Sequence, residues 1–260
     1  MEEIIKLAKQ AAQEAGATLM SMYGNAAVHE KGASHNLVTE ADLAAEELIT
    51  DLIRSAFPDH RLLLEEGQST GVAADEHLWV VDPLDATNNF AHGIPHFSVS
   101  IAYAEKGELK AGVIIDPTRN ELFHAEKGMG AFLNDQPIKV TESTRLEQSI
   151  VGTGFYYDRG AMMEKTLNSI HTLFSRNIRG IRRMGSAAID LAWVACGRFD
   201  AFFEYKLEPW DYSAGKLLIE EAGGSCSDRL GNELKIDSGN VIVSNGKIHD
   251  LIMDAVKWSD

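Results

Sequence analysis

Cysteine is nearly absent from this 260-residue chain. Only Cys196 and Cys226 are present. Two isolated thiols among small and apolar neighbours exclude a disulfide framework and are expected to be buried and free. Long apolar runs are missing too: none approaches the roughly 20 residues that cross a bilayer. The start, Met1-Glu2-Glu3, has neither the basic residues nor the apolar stretch of a signal peptide. A cytoplasmic location is therefore expected. Positive charge is the third shortage. Lysine and arginine number 24 against 39 acidic residues, a net charge of −15. Residues 1–150 hold 24 acids and 11 bases, whereas residues 151–260 hold 15 and 13. Such a chain is a poor candidate for a general nucleic-acid binder or for an anionic membrane surface, because each requires a basic face. If the substrate is an anion, something other than net charge must attract it, and a divalent cation is the obvious candidate.

With 45% hydrophobic and 24% charged residues, the chain reads as globular rather than disordered. Ile4, Leu7, Ala8, Ala11, Ala12, Ala15 and Leu19 recur at helical spacing, so a first helix is expected up to Gly24-Asn25. An extended piece at 36–39 precedes a helix over about 41–55, which Phe57-Pro58-Asp59 stops. A short strand at 61–64 and a polar loop at 67–76 follow. Leu78-Trp79-Val80-Val81 reads as a buried strand, terminated by Asp82-Pro83 because proline cannot continue a central ladder. Residues 97–104 and 109–115 form a hairpin about Lys106-Gly107-Glu108, and 122–125 and 131–133 extend it into an antiparallel meander. Later helices are expected at 162–174, 186–195, 210–222 (closed by Gly223-Gly224) and 247–257, with strands at 201–205 and 240–244. A boundary near 141–148 divides an N-terminal α+β lobe, 1–145, from a C-terminal α/β lobe, 146–260. Both halves mix helix and sheet in layers. Repeats and low-complexity tracts are absent.

The informative stretch is Trp79 to Phe90. Asp82 ends an apolar strand, and Asp85 follows one turn later. Pro83 forces the turn, so both carboxylates and the Leu84 carbonyl can point at one spot, a donor set suited to Mg²⁺. Thr87 to Phe90 then opens a short helix whose free N–H groups could hold a phosphate. Three other pieces have ordinary structural readings. Asp211 in Pro209-Trp210-Asp211 suits a helix N-terminus. Glu65-Glu66 suits a solvated loop. Thr39 and Asp42 have the spacing of a capping box.

Together the four pieces resemble the inositol monophosphatase family of metal-dependent, lithium-sensitive phosphatases. The family pattern Asp-Pro-hydrophobic-Asp-Gly-Thr-x-Asn-Phe stands here as Asp82-Pro83-Leu84-Asp85-Ala86-Thr87-Asn88-Asn89-Phe90, followed by His92-Gly93 and Ser98-Val99-Ser100-Ile101. The second pattern stands as Trp210-Asp211-Tyr212-Ser213-Ala214-Gly215, ending in Glu221-Ala222-Gly223-Gly224. Val38-Thr39-Glu40-Ala41-Asp42 and Glu65-Glu66 match the upstream motifs in order and spacing, so the resemblance covers nearly the whole chain.

The resemblance implies an α+β fold, an αβαβα sandwich of the inositol monophosphatase and fructose-1,6-bisphosphatase type, usually a homodimer. It implies that Glu65, Asp82 and the Leu84 carbonyl hold a first Mg²⁺, and that Asp82, Asp85 and Asp211 hold a second. A third, weaker Mg²⁺ would lean on Glu65. Thr87 and Asp42 would orient the attacking water. Ala86 and Thr87 N–H groups would bind phosphate, and Gly185, Ser186, Ala187 and Glu204 would contact a sugar-like alcohol, alongside Asp85 and Asp211. Two positions depart from the family: Ala86 and Leu64 stand where glycine is usual, and glycine often serves a positive φ or close contact with a ligand.

Electrostatics supports the metal reading independently. Carboxylates about 4 Å apart repel by about 4 kcal/mol per pair at an effective dielectric of 20, so four in one pocket need cations or protons. No serine or cysteine nucleophile motif is present, so hydrolysis by a metal-activated water without a covalent intermediate is expected. The Asn88-Asn89-Phe90 version of the motif favours the inositol branch, and Glu204 suits a polyol. Fructose 1,6-bisphosphate and NADP(H) are the alternative substrates. His92 and His96 have a zinc-like spacing, but Gly93 and Pro95 interrupt any helix there. Trp79 and Trp193 are expected in the core. The one basic cluster, Arg176 to Arg183, reads as a solvated edge, as a binder of additional phosphate or a dimer partner, or as an RNA or protein docking patch. The last follows from bacterial members of the family that act in transcription complexes.

Overall fold

The computed structural model describes residues 1–24, 28–30, 37–71 and 74–257. In chain order its elements are α1 (Glu2–Met22), β1 (Val28–Glu30), β2 (Leu37–Thr39), α2 (Glu40–Ala56), β3 (Arg61–Leu64), β4 (Leu78–Asp85), α3 (Thr87–Ala91), β5 (Ser98–Glu105), β6 (Glu108–Asp116), β7 (Glu121–Glu126), β8 (Gly130–Leu133), β9 (Gln136–Ile138), β10 (Ile150–Thr153), α4 (Ala161–Ser175), β11 (Gly180–Arg182), α5 (Ala187–Ala195), β12 (Ala201–Leu207), α6 (Pro209–Glu221), β13 (Ser225–Ser227), β14 (Gly239–Ser244) and α7 (His249–Val256). Asn25 and Asn36, expected at a helix end and a strand start, lie outside the described residues.

Strands β3 to β9 form a seven-stranded sheet in sequential order, antiparallel except for the parallel β3–β4 pair. A second, five-stranded sheet has the order β11-β10-β12-β14-β13. Alternation along the strands assigns the layers. Trp79, Val81, Ile101 and Val113 face α1 and α2, where Ala11, Ala12, Ala15, Ile49 and Ile53 are fully buried or nearly so. Leu78, Val80, Ala102 and Ile114 face the opposite way, onto Leu191, Val194, Leu217 and Leu218 of α5 and α6. The same helices meet Phe202, Val241 and Val243 of the second sheet. Ala201, Phe203 and Ile242 point outward onto Leu173 of α4 and Ile252 of α7. The result is the expected αβαβα sandwich. The middle helices touch closely: a Cβ at Gly215 would lie 2.6 Å from the Leu191 Cβ, so a side chain there would force α5 and α6 apart.

Several expectations need correction. Strand β4 does not end at Asp82-Pro83 but runs to Asp85. Pro83 sits where the β4–β5 register breaks, between Asp82 and Asp85, so its missing N–H interrupts no ladder bond. The C-terminal sheet has three strands that patterning did not mark, β10, β11 and β13, each of three or four residues. Both cysteines are free as expected but only partly buried. Trp79 is fully buried, whereas Trp193 is partly buried at the edge of the central core. No helix among the described residues is long and apolar enough to cross a membrane.

Candidate active site

Strand β4 emerges between the helical layers and delivers its bulge to a cavity of about 380 Å³. Eleven of the twelve site residues expected above line it: Glu65, Asp82, Leu84, Asp85, Ala86, Thr87, Gly185, Ser186, Ala187, Glu204 and Asp211. Asp42 stands behind the wall and reaches it through Thr87. Its Oδ1 accepts the Thr87 hydroxyl at 3.1 Å, while its Oδ2 accepts the Thr39 N–H at 2.8 Å. The capping box is therefore real and Asp42 serves both purposes, one oxygen for α2 and one for the site. The Thr87 hydroxyl also lies 3.1 Å from the Leu84 carbonyl. With one proton and two acceptors it can satisfy only one of them at a time.

Asp85 is held mainly by α5. Its Oδ2 accepts the Ser186 hydroxyl at 2.5 Å and the Ala188 N–H at 2.8 Å, with Ser98 Oγ at 3.5 Å. Burial pushes its carboxyl up, and these donors pull against the rise. Ser186, expected at the substrate, thus braces a carboxylate from the rim of the same cavity. Asp211 repeats the arrangement of Asp42: it is at the third position of α6, and its Oδ2 accepts the Glu208 N–H at 2.8 Å.

Charge confirms the crowding. Asp82 is 1% exposed, and burial pushes its carboxyl well up, with the charges of Glu65, Asp85 and Asp211 adding to the rise and a side-chain hydrogen bond to Glu65. Asp211 is raised by burial, then by Asp85 and Glu65. The Tyr157 phenol at the cavity edge is pushed up to about 12, by burial and then by the same four carboxylates. Among the described residues, no three His, Cys, Asp or Glu side chains are gathered tightly enough to grip a metal as they stand. The four carboxylates are a cavity wall rather than a finished cage. Their chemistry fits Mg²⁺: all donors are oxygens, they destabilise one another as anions, and a carbonyl stands among them.

The same cavity is lined by Glu204 on β12, 8% exposed, with its carboxyl pushed up to about 8 by burial. Arg183 opposes that rise and Asp85 adds to it. Ala86 has φ 75° and ψ 46°, the left-handed conformation that a glycine would adopt freely. Leu64 is 5% exposed and packs in the α2-side core. Asn89, taken as a substrate-branch signature, is a brace: its Nδ2 donates to the carbonyls of His96 and Met184. Sequence patterning overlooked Glu46, 6% exposed on α2, whose Oε2 accepts the Glu66 N–H at 2.9 Å and so fixes the turn carrying Glu65. A glutamate one helical turn after Asp42, on the buried face, was the available signal. Arg183, Lys206, Tyr156 and Asp190 also line the cavity and were not singled out there. Within the Arg176–Arg183 cluster, Arg176 pairs with Asp254 at 2.9 Å, whereas Arg179, Arg182 and Arg183 are exposed and Arg183 also lines the cavity. His92 and His96 do not meet as a zinc pair: His96 is buried and His92 exposed.

Known proteins share this arrangement. The inositol monophosphatase family pattern matches residues 1–259. The chain is 40% identical to the Nus factor SuhB of Pseudomonas aeruginosa, covering 99% of this chain and 97% of that one. It is 40% identical to an inositol-1-monophosphatase of Synechocystis sp., covering 97% and 88%. The crystal structure of the extragenic suppressor protein suhB from Bartonella henselae superposes with a TM-score of 0.93 at 39% identity, over 99% of this chain and all of that one. With the sandwich and the motifs of β4 and α6 in place, the chain belongs to the inositol monophosphatase family.

Proposed function

We propose that this protein hydrolyses a small phosphate monoester, with myo-inositol monophosphate as the first candidate, by attack of water and without a covalent intermediate. The observation that carries the reading is the cavity itself, which gathers four carboxylates, Thr87 with its partner Asp42, and buried Glu204. Glu65, Asp82, Asp85, Asp211 and the Leu84 carbonyl would hold Mg²⁺. When bound, Mg²⁺ neutralises the carboxylates and the phosphate and lowers the pKa of coordinated water. Thr87, donating to Asp42, keeps its lone pairs free and would orient the attacking water. The Ala86 and Thr87 N–H groups at the start of α3 face the phosphate. Glu204 hydrogen-bonds the hydroxyls of the alcohol, together with Asp85 and Asp211, while Gly185, Ser186 and Ala187 shape the rim. Inhibition by Li⁺, a homodimer and a cytoplasmic location belong to the same proposal.

Asp85→Asn is expected to leave the fold intact and abolish Mg²⁺-dependent phosphate release. Undiminished turnover would sink the assignment. A phosphate-release panel of inositol 1-phosphate, fructose 1,6-bisphosphate and NADP, with and without Mg²⁺ and Li⁺, ranks the substrates. If inositol 1-phosphate is the poorest of them, the substrate choice is wrong.

A second reading concerns the exposed Arg179 and Arg182, which flank and end β11, the edge strand of the second sheet. A relative carries the name Nus factor, which favours a docking role for this edge in a transcription complex. RNA binding would then survive Asp85→Asn and fall in an Arg179→Glu, Arg182→Glu double variant.

A further inference from the structure

His96 and Asp190 face each other in the interior without a direct hydrogen bond. His96 lies just ahead of β5 and is 2% exposed, and Asp190 on α5 is 1% exposed. His96 Nε2 stands 3.9 Å from Asp190 Oδ1. Among the described residues, four buried side-chain atoms lack a hydrogen-bond partner: Thr50 Oγ1, His96 Nε2, Asp190 Oδ1 and Trp193 Nε1. Trp193 is one helical turn beyond Asp190, so three of the four come from one small region. Unmatched buried polar atoms are rare in folded proteins, and each calls for a physical explanation.

The surroundings fix the proton on His96. Arg119 Nη1 stands 3.5 Å from Nδ1. Arginine only donates, so Nδ1 accepts and Nε2 carries the hydrogen of the neutral ring. Asp116, itself fully buried, anchors Arg119 at 2.5 Å. The Arg119 and Arg198 guanidinium groups lie over the Trp193 ring at 5.3 and 5.5 Å, and the His96 ring meets it edge-on at 5.4 Å. The His96 N–H is thus held in a fixed ring 3.9 Å from one carboxylate acceptor. One water with bonds of about 2.8 Å spans the His96–Asp190 gap. Accepting from the His96 N–H and donating to Asp190 Oδ1, it satisfies both atoms.

The location gives this cluster a task. Helix α5 is apolar on nearly every side, with Ala188, Ile189, Leu191, Ala192, Val194 and Ala195 all buried. Apolar burial is itself non-directional, so beside the close contact with α6 a polar tie fixes the helix's rotation and height more sharply. Yet the first turn of α5 holds Asp85 through Ser186 and Ala188. Asn89 already ties the His96 carbonyl to Met184, on the approach to α5. A polar tie at Asp190 supplies the second fixed point.

We propose that Asp190 is a positioning residue for Asp85: His96, seated edge-on against Trp193, holds it through one water and so helps set α5 at the height and rotation that the Asp85 carboxylate needs. This rests on the phosphatase reading, in which Asp85 holds Mg²⁺.

The test is Mg²⁺ titration calorimetry on the full chain without substrate, with kcat and KM measured in parallel. His96→Phe keeps a ring and loses both nitrogens. It is expected to weaken Mg²⁺ binding about ten-fold, the scale of an outer-shell loss, and to leave KM at saturating Mg²⁺ unchanged. His96→Gln can accept from Arg119 and donate toward Asp190, and it restores most of the affinity. Trp193→Phe shrinks the ring that His96 meets edge-on, moves affinity in the same direction, and keeps the test open if His96→Phe does not fold. Wild-type affinity in both His96→Phe and Trp193→Phe overturns the proposal, as does a His96→Gln protein as weak as His96→Phe. If Asp85→Asn binds Mg²⁺ like wild type, the phosphatase reading fails and takes this inference with it. If Asp85→Asn loses Mg²⁺ while His96→Phe and Trp193→Phe keep it, this inference alone fails.

Discussion

The Ser186 hydroxyl donates to Asp85 Oδ2 at 2.5 Å and accepts the Ile189 N–H at 3.2 Å. One side chain therefore caps α5 and holds a carboxylate that comes from a different layer of the sandwich. Ser186→Ala removes both bonds. The lost cap should cost about 1 kcal/mol of stability, read as a lower urea midpoint. The loosened Asp85 should lower Mg²⁺-dependent phosphate release by about 10–100-fold. An unchanged rate would show that Ala188 and Ser98 suffice.

Ala86 bears the left-handed backbone with a side chain attached. That conformation costs a non-glycine residue about 1–2 kcal/mol, while glycine costs roughly 0.5–1 kcal/mol in chain entropy. Ala86→Gly is therefore expected to raise stability by up to about 1 kcal/mol by these same figures. Its methyl group packs against the α2-side core, which limits the gain. Thermal unfolding of the two proteins decides the sign.

Thr87→Val keeps the shape of the side chain and removes its hydroxyl. Asp42 Oδ1 then loses the Thr87 donor in a fully buried place. A stability loss of about 1–3 kcal/mol follows. Phosphate release should collapse while Mg²⁺ binding persists, since Thr87 supplies no metal ligand in the proposed site. Calorimetry and turnover measured together separate these effects.

Glu204 sets a pH dependence. Its carboxyl is raised from 4.5 to about 8 in the folded protein. Between those values the folded chain keeps a proton that the unfolded chain has released. Stability therefore falls as pH rises through that window, and the whole penalty is present above it. Asp82 and Asp211 are raised as well, so they add in the same direction when no cation is present. Urea midpoints of the EDTA-treated protein should decline from about pH 5 to about pH 8. Glu204→Gln should flatten part of that decline, and Mg²⁺ should oppose the rest. A midpoint that rises with pH contradicts the argument.

Gly154 lies under Glu204. A Cβ there would stand 1.9 Å from Glu204 Oε2, so the carboxylate must swing away. The clash involves the end of a flexible side chain, and the fold should survive. Gly154→Ala is expected to raise KM for a polyol phosphate more than it lowers kcat. Equal effects on both would mean that Glu204 does not contact the alcohol.

Much of this was legible along the chain. The periodic apolar residues of α1 and α2 face the sheet as expected, and β4 reads as an unbroken apolar run because layers cover both its faces. The motif residues carried the family, and eleven of their twelve assigned site positions line one cavity. Elements built from few residues did not declare themselves. Strands β10 and β11 are short and pair in parallel, so their stability comes from neighbours distant in sequence. Pro83 misled because a proline stops a ladder only where its N–H is needed, and the register break removes that need.

The sequence by itself determined which groups are present: an acidic N-terminal half, oxygen donors in a fixed order, and an alanine in place of a glycine. It determined the layers too, because alternation and helical period follow from local geometry. Only the tertiary structure decided what each group touches. Asp42 is at once a helix cap and a partner of Thr87, Ser186 supports Asp85 across 101 positions of sequence, and His96 meets Asp190. A hydrogen bond depends on distance in space, and separation along the chain does not report it.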